Sequence, residues 1–358
     1  MTTLVTMMDA PRHNAQPQDE PLVMGPASTA MILTMAYFSL FNHPLREDEL
    51  LRYCHFFAIS PAAFRDTLGA LLDQGILVKS GALFHLRGDD ALPAIRGERE
   101  ARAATWRVRV ARSASVLARL PFLRGLFLSG SLSKGTQDER GDIDFLLVTA
   151  GNRLWTTRFF ASLLLKSIPE SGRRNFCMNY FLPEDRLGIP DRTLFSATEV
   201  ACLKPLWNTP GSAAFFKQNS WFRAFYPNLE PAAPPEAPHR PPFLQRLLEW
   251  PLSGRLGDRF EAWATQWFIH RLSHQLATLP PDRSPEDFRI GPWEYKGHTK
   301  GFHGRLRKAW HERLNSLEAA FGVQLIRWPW GRTPRPGQAP AEGFARLPVP
   351  LRIRRHQL

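Results

Sequence analysis

Two stretches decide the fold: Leu126-Phe-Leu-Ser-Gly130-Ser131 and, after a ten-residue spacer, Asp142-Ile-Asp144-Phe-Leu-Leu-Val148. Each apolar run predicts a buried strand, and Gly-Ser indicates a turn at the end of the first strand. Because side chains alternate across a strand, Asp142 and Asp144 are expected on one face and Ile143 on the other. The two stretches therefore predict neighbouring strands that bring a carboxylate pair beside a Gly-Ser turn.

This arrangement suits a divalent cation held against a triphosphate. Mg²⁺ (or Mn²⁺) takes oxygen ligands, commonly one or two carboxylates together with substrate phosphates. Gly130 allows phosphate to approach the backbone, and a helix that begins there offers N–H donors. The alternative is a surface hairpin with a polar, acidic loop over residues 134–142. Asp144 argues against it, because a carboxylate within an apolar run is costly to bury without compensation.

The pattern resembles the nucleotidyltransferase superfamily related to DNA polymerase beta, whose signature is an apolar strand, Gly-Ser, a spacer and Asp-x-Asp in a second strand. The resemblance implies an α+β (mixed α/β) fold with a small sheet and flanking helices. It also implies an NTP substrate, with Asp142 and Asp144 as metal ligands and catalytic residues. Gly130 and Ser131 would hold phosphates, and Lys134 and Asn179 are further candidates for nucleotide contact.

The superfamily usually carries a third carboxylate on a neighbouring strand, and this chain departs from that pattern. Residues 173–182 are predicted to be that strand, and alternation gives one face to Asn175, Cys177, Asn179 and Phe181. Asn179 therefore occupies the expected position, and an amide cannot act as a general base. Three nearby carboxylates are alternatives: Glu199, Glu184 and Asp185.

Changes in composition divide the chain into six regions. They are a disordered N-terminus (1–26), a winged-helix-like domain (27–95), a nucleotidyltransferase-like domain with a leading basic helix (96–226), a Pro-rich linker (227–242), a helical C-terminal region (243–330) and a basic Pro-rich tail (331–358).

The winged-helix resemblance rests on three predicted helices followed by a hairpin that turns at Ser80-Gly81. In such domains the third helix can enter the DNA major groove. Here that helix offers Arg65 among acidic neighbours, and the hairpin offers Lys79, His85 and Arg87. The pattern favours packing against the catalytic domain or a partner over DNA reading.

The net charge of +13 favours anionic partners, namely nucleotides, phosphorylated substrates or nucleic acid. Residues 96–120 are expected to form an Arg-rich helix that is either a solvated linker helix or a phosphate-contacting ridge. A second basic group comprises Lys296, His298, Lys300 and His303, and it indicates either a phosphate site or the solvated face of a loop.

Composition also bounds location and partners. The three cysteines are widely spaced, which predicts neither a zinc site nor a disulfide framework and favours a reducing, cytoplasmic setting. No apolar run is long enough for a membrane helix, so no membrane partner is expected.

These observations predict a Mg²⁺-dependent enzyme that transfers NMP from an NTP to an acceptor hydroxyl. The acceptor stays open among a small molecule, a protein and an RNA end. The alternative is a catalytically impaired nucleotide- or nucleic-acid-binding regulatory module.

Overall fold

The computed structural model describes residues 25–167, 176–207, 209–229, 243–277, 288–297 and 302–322. The predictions for the N-terminus, for the linker beyond residue 229 and for the tail lie outside these ranges. The described residues have a mixed α+β architecture, as the sequence predicts. Within them, no helix is both long and apolar enough to cross a bilayer.

The N-terminal unit consists of three helices and a hairpin, in the predicted order. The helices are α1 (Pro26–Ser39), α2 (Glu47–Arg52) and α3 (Pro61–Asp73), and the strands are β1 (Leu77–Ser80) and β2 (Leu83–Leu86). Ser60 caps α3 by accepting a hydrogen bond from the Ala63 N–H at 3.3 Å, and Pro61 suits the first helical position. The hairpin turns at Gly81, whose φ of +62° favours glycine.

The predicted basic surface of this hairpin is smaller than expected. His85 is buried, and its ring forms hydrogen bonds with Ser80 Oγ and the Leu86 carbonyl, each at 3.0 Å. Phe84 and Leu86 on one face of β2 and His85 on the other are all buried, so the expectation that His85 adds to an exposed basic surface is wrong. Lys79 and Arg87 are exposed.

A six-stranded sheet forms the centre of the molecule, with strand order β6-β3-β4-β5-β8-β7. Only β4 and β5 are parallel; the other neighbours are antiparallel. The strands are β3 (Leu123–Ser129), β4 (Ile143–Thr149), β5 (Phe176–Pro183), β6 (Lys204–Trp207), β7 (Phe288–Gly291) and β8 (Glu294–Gly297). The helices around it are α4 (Leu92–Leu117), α5 (Gly130–Ser133), α6 (Leu154–Ser167), α7 (Leu194–Cys202), α8 (Thr209–Gln218), α9 (Phe243–Glu249), α10 (Arg255–Ala277) and α11 (Phe302–Phe321).

Alternation along the strands separates two hydrophobic cores. Ile143, Phe145 and Leu147 face the core that contains α4, α6 and α10. Leu146 and Val148 face the core that contains α7, α11 and the N-terminal unit. The sheet is thus covered by helices on both faces, and Asp144 projects on the same face as Leu146.

The N-terminal unit packs against the part of the chain that carries the six-stranded sheet, as the sequence favours. Thr198 of α7 donates a hydrogen bond to Tyr37 Oη of α1 at 3.0 Å and also contacts the Tyr226 hydroxyl. All three residues are buried. Helix α7, which carries Glu199, is therefore held against the N-terminal unit.

The loop expected between the two long C-terminal helices contains a β-hairpin instead. Strand β8 pairs with β5 through Tyr180–Lys296 and Phe181–Tyr295, and β7 forms the sheet edge. Tyr295 is buried against Phe181 and Trp155. This pairing supplies hydrogen-bond partners to the edge of β5 that would otherwise be open. The local pattern of Gly and basic residues around β8 does not indicate a strand.

Candidate functional site

The two aspartates lie at the entry to β4, in the middle of the sheet. Asp142 immediately precedes the strand, and Asp144 is paired with Ser129 of β3 on one side and Cys177 of β5 on the other. The central position of the strand leaves these carboxylates partly buried. The arrangement expected from their i, i+2 spacing is the one observed.

Gly130 lies directly against Asp144. Its φ is +66°, and a Cβ placed on it would lie 2.1 Å from Asp144 Oδ2. Any larger residue would therefore collide with the carboxylate and strain the backbone. Here glycine is required by the neighbouring carboxylate, whereas the sequence pattern indicates a close approach of phosphate.

The carboxylate pair carries poorly compensated negative charge. Burial raises the pKa of Asp144 to about 7, the nearby Asp142 charge adds to the effect, and hydrogen bonding to Cys177 opposes it. Lys134 is close enough to favour ionisation of Asp144, but its Nζ donates to Glu199 Oε1 at 2.7 Å and to the Gly130 carbonyl at 3.2 Å. A divalent cation would supply the missing positive charge.

Cys177 is the third group at this point. The ligand atoms of Asp142, Asp144 and Cys177 all lie within 4.8 Å of one another. Burial, followed by the two aspartate charges, raises the pKa of the Cys177 thiol well above its ordinary value. Two carboxylate oxygens fit the hard cations Mg²⁺ and Mn²⁺, whereas the thiol is a softer ligand.

Asn179 is displaced from its expected position by an irregularity in β5. The register runs Phe145–Met178 and then Leu146–Tyr180, so Asn179 is an extra residue in the strand. Its amide donates to Cys177 Sγ, and Phe181 faces the opposite core. The expected alternation through Phe181 is therefore wrong, and Cys177 is the β5 residue nearest the aspartates.

Among the alternative carboxylates, Glu199 is the one that approaches the site. It lies on α7, accepts from Lys134, and also accepts from Ser129 Oγ at 3.4 Å. Glu184 and Asp185 follow the far end of β5, which runs parallel to β4 from the Ile143 pairing to the Thr149 pairing. They therefore lie at the opposite end of the strand from the aspartate pair.

Gln137 connects the Gly-Ser turn to Asp142, and sequence analysis did not identify it. This buried side chain accepts from Ser131 Oγ at 2.8 Å and donates to the Asp142 carbonyl at 3.0 Å. A Cβ at Gly141 would lie 2.3 Å from its Oε1. A polar residue in a polar loop carries no local signal of such a role.

The Arg-rich helix α4 holds the same loop in place. The Gln137 N–H donates to the Arg99 carbonyl at 3.0 Å, Arg102 donates to the Gln137 carbonyl at 2.9 Å, and Arg99 forms an ion pair with Asp138 at 2.8 Å. Arg96 is buried and paired with Glu49 and Glu100. These three arginines bind protein groups, whereas Arg107, Arg109 and Arg112 of the same helix are exposed. The choice between a solvated helix and a phosphate-contacting ridge therefore stays open for the exposed arginines.

The second basic group is only partly described. Lys296 is buried with its Nζ 2.8 Å from Asp191, and His303 is buried against Phe195. These two are therefore not part of a solvated basic face. His298 and Lys300 lie outside the described residues.

A cavity of about 80 Å³ adjoins Asp144 between the sheet and α7. Asp144, Glu199 and Ser129 contribute its polar side, and Asn179 also lines it. The site thus combines a charged end with a partly open cavity.

Comparison of the chain with protein-family models, with curated proteins and with solved structures yields no match.

Proposed function

We propose that the protein is a Mg²⁺- or Mn²⁺-dependent nucleotidyltransferase that transfers NMP from an NTP to an acceptor hydroxyl. The observation that carries this proposal is the aspartate pair: Asp144 is packed against Gly130, and burial, together with the nearby charge of Asp142, raises the pKa of Asp144 to about 7. Asp142 and Asp144 would hold the cation, which neutralises phosphate charge when bound.

The other residues have distinct roles in this proposal. Gly130 and Ser131 face the NTP phosphates, and Lys134, held nearby by Glu199, is the cation available to them. Glu199 is the carboxylate that accepts the proton, because Asn179 and Cys177 of β5 supply none. The acceptor oxygen forms a bond to the α-phosphorus, the bond from that phosphorus to the α,β-bridging oxygen breaks, pyrophosphate leaves, and the hydroxyl proton passes to Glu199.

The test is to incubate purified protein with each α-³²P-labelled NTP, Mg²⁺ or Mn²⁺ and cell extract. Asp142→Asn and Asp144→Asn are expected to lower label transfer at least a hundredfold. The matched control is Glu139→Gln, because Glu139 is an 84% exposed carboxylate in the same loop. Transfer that survives both aspartate substitutions would refute the proposal.

A second candidate is a nucleotide-binding regulator without turnover, favoured by the thiol and amide of β5 near the aspartates. The variant Glu199→Gln separates the two functions. For an enzyme, it is expected to lower transfer at least a hundredfold while metal-dependent NTP binding, measured by calorimetry, is retained. Metal-dependent NTP binding with no transfer by the wild-type protein would support the regulator.

A further inference from the structure

The cavity beside Asp144 has an apolar wall that phosphate chemistry does not use. Its apolar lining comes largely from β4, β5, α7 and the loops at either end of α7, and its polar lining residues are Ser129, Asp144, Asn179, Ser196, Glu199 and Lys296. The apolar residues include Leu146, Ile189, Val200 and Leu203. An apolar wall next to a reacting centre binds the carbon skeleton of a substrate through the hydrophobic effect.

Charge around the cavity disfavours a nucleic-acid acceptor. Lys296 is the one cation among the described residues that line it, and its Nζ is held 2.8 Å from Asp191. The nearby Lys134, 2.7 Å from Glu199, contacts the NTP phosphates in the proposed function and is therefore not available to an acceptor strand. A nucleic-acid strand brings a phosphate with every nucleotide and is normally bound by unengaged Lys and Arg side chains. This wall therefore suits an uncharged group.

The size of the cavity limits that group. Its volume of about 80 Å³ is roughly half of the ~150 Å³ apolar cavity that accommodates benzene. It therefore accommodates about three or four non-hydrogen atoms, with the rest of a larger acceptor lying outside the opening.

We infer that this cavity binds the acceptor, and that the acceptor presents an uncharged, short hydroxyalkyl group beside Asp144 and Glu199. The inference rests on the proposed function and narrows its acceptor. The hydroxyl oxygen forms the new bond to the α-phosphorus of the NTP, pyrophosphate departs, and the hydroxyl proton goes to Glu199. A free small alcohol and the side chain of a protein serine or threonine share this chemistry.

The first experiment changes the size of the cavity at Leu203, a buried residue that follows α7. Leu203→Phe fills the space, Leu203→Ala enlarges it, and Leu247→Phe changes a 55% exposed leucine as a control. Saturation-transfer NMR is recorded with propan-1-ol and hexan-1-ol. We expect propan-1-ol contact to be lost only in Leu203→Phe and hexan-1-ol contact to increase in Leu203→Ala. Absence of propan-1-ol contact in folded wild-type protein overturns the inference.

The second experiment makes two measurements. One follows the transfer of label from α-³²P-NTP, and the other determines the affinity for a non-hydrolysable NTP in the presence of Mn²⁺. Leu203→Phe is expected to lower kcat/KM for the acceptor at least tenfold while NTP affinity changes less than twofold. Label in a small, nuclease-resistant ester indicates a free alcohol, and label in protease-sensitive material indicates a protein hydroxyl. Nuclease-sensitive label overturns the inference and leaves the proposed function standing, whereas loss of metal-dependent NTP binding in the wild-type protein overturns the proposed function itself.

Discussion

At the scale of single residues, the contact between Gly130 and Asp144 is the tightest constraint in the site. Gly130→Ala places a methyl group where Asp144 Oδ2 lies and also strains a backbone at positive φ. We expect it to lower Mn²⁺ affinity, measured by calorimetry, at least tenfold and to lower the free energy of unfolding by about 1–3 kcal/mol.

Gly135→Ala is the matched control for this substitution. Gly135 has φ of +78°, yet a Cβ there would meet nothing within 4 Å. It carries the same kind of backbone strain, which costs about 1–2 kcal/mol, without displacing a carboxylate. Equal loss of Mn²⁺ affinity in both variants would contradict a specific role for the Gly130 contact.

The Asp144 carboxylate is expected to lower the stability of the metal-free protein when it is ionised, although the proposed function requires it. The folded protein keeps this proton up to about pH 7, whereas the unfolded chain releases it near pH 4. The unfolded state binds fewer protons between those values, so stability falls as the pH rises through this range. In metal-free buffer at pH 8, Asp144→Asn is expected to raise the free energy of unfolding by about 1–3 kcal/mol.

Urea denaturation of the wild-type protein and of Asp144→Asn, in EDTA at pH 4.5 and pH 8, measures this effect. The difference between the two proteins should be small at pH 4.5 and large at pH 8. A variant less stable than the wild-type protein at pH 8 would show that the carboxylate is compensated by its protein surroundings, so the site would need no cation for charge balance.

At the scale of elements, the loop from Lys134 to Asp142 is held between α4 and the Gly-Ser turn, with Gln137 at its centre. Gln137→Leu keeps the approximate volume but leaves the Ser131 hydroxyl and the Asp142 carbonyl without this partner. An unsatisfied buried polar group costs about 1–3 kcal/mol. We expect a tenfold or greater loss of Mn²⁺ affinity by calorimetry, with Glu139→Gln unchanged. Wild-type affinity in Gln137→Leu would mean that Asp142 is positioned by its strand alone.

Elements with strong local patterns could be predicted from the sequence, and elements that depend on pairing could not. The helices of the N-terminal unit, α6, and the strands that flank the Gly-Ser turn follow from periodicity and caps. The strand pair β7 and β8 is short, and its burial depends on the distant edge of β5. The extra residue at Asn179 is recognised only from the register between β5 and β4. Because a sequence does not show this register, it does not predict Cys177 as the β5 residue nearest the aspartates.

At the scale of the whole molecule, the N-terminal unit and the sheet with its helices share a buried core that contains a neutral histidine. His55 is fully buried among Tyr37, Phe56 and Tyr226, and its ring nitrogens have no hydrogen-bond partner among the described residues. Burial lowers the pKa of His55 to about 3. The contact between the two parts of the chain is therefore expected to weaken in acid.

The sign of this effect follows from proton binding. The unfolded chain takes up a proton on His55 below about pH 6.5, whereas the folded protein does so only near pH 3. The stability contributed by neutral His55 is complete above pH 6.5 and is lost progressively as the pH falls from 6.5 to 3. The loss amounts to about 2 kcal/mol at pH 5.

His55→Phe keeps an aromatic ring in this core and removes the titration. Urea denaturation at pH 8 and pH 5 should therefore show the variant gaining about 2 kcal/mol relative to the wild-type protein on acidification. The exposed His311 serves as a control, and His311→Gln should follow the wild-type protein. Parallel pH dependence in wild-type protein and His55→Phe would show that this ring does not govern acid stability, and that the N-terminal unit stays attached by other contacts.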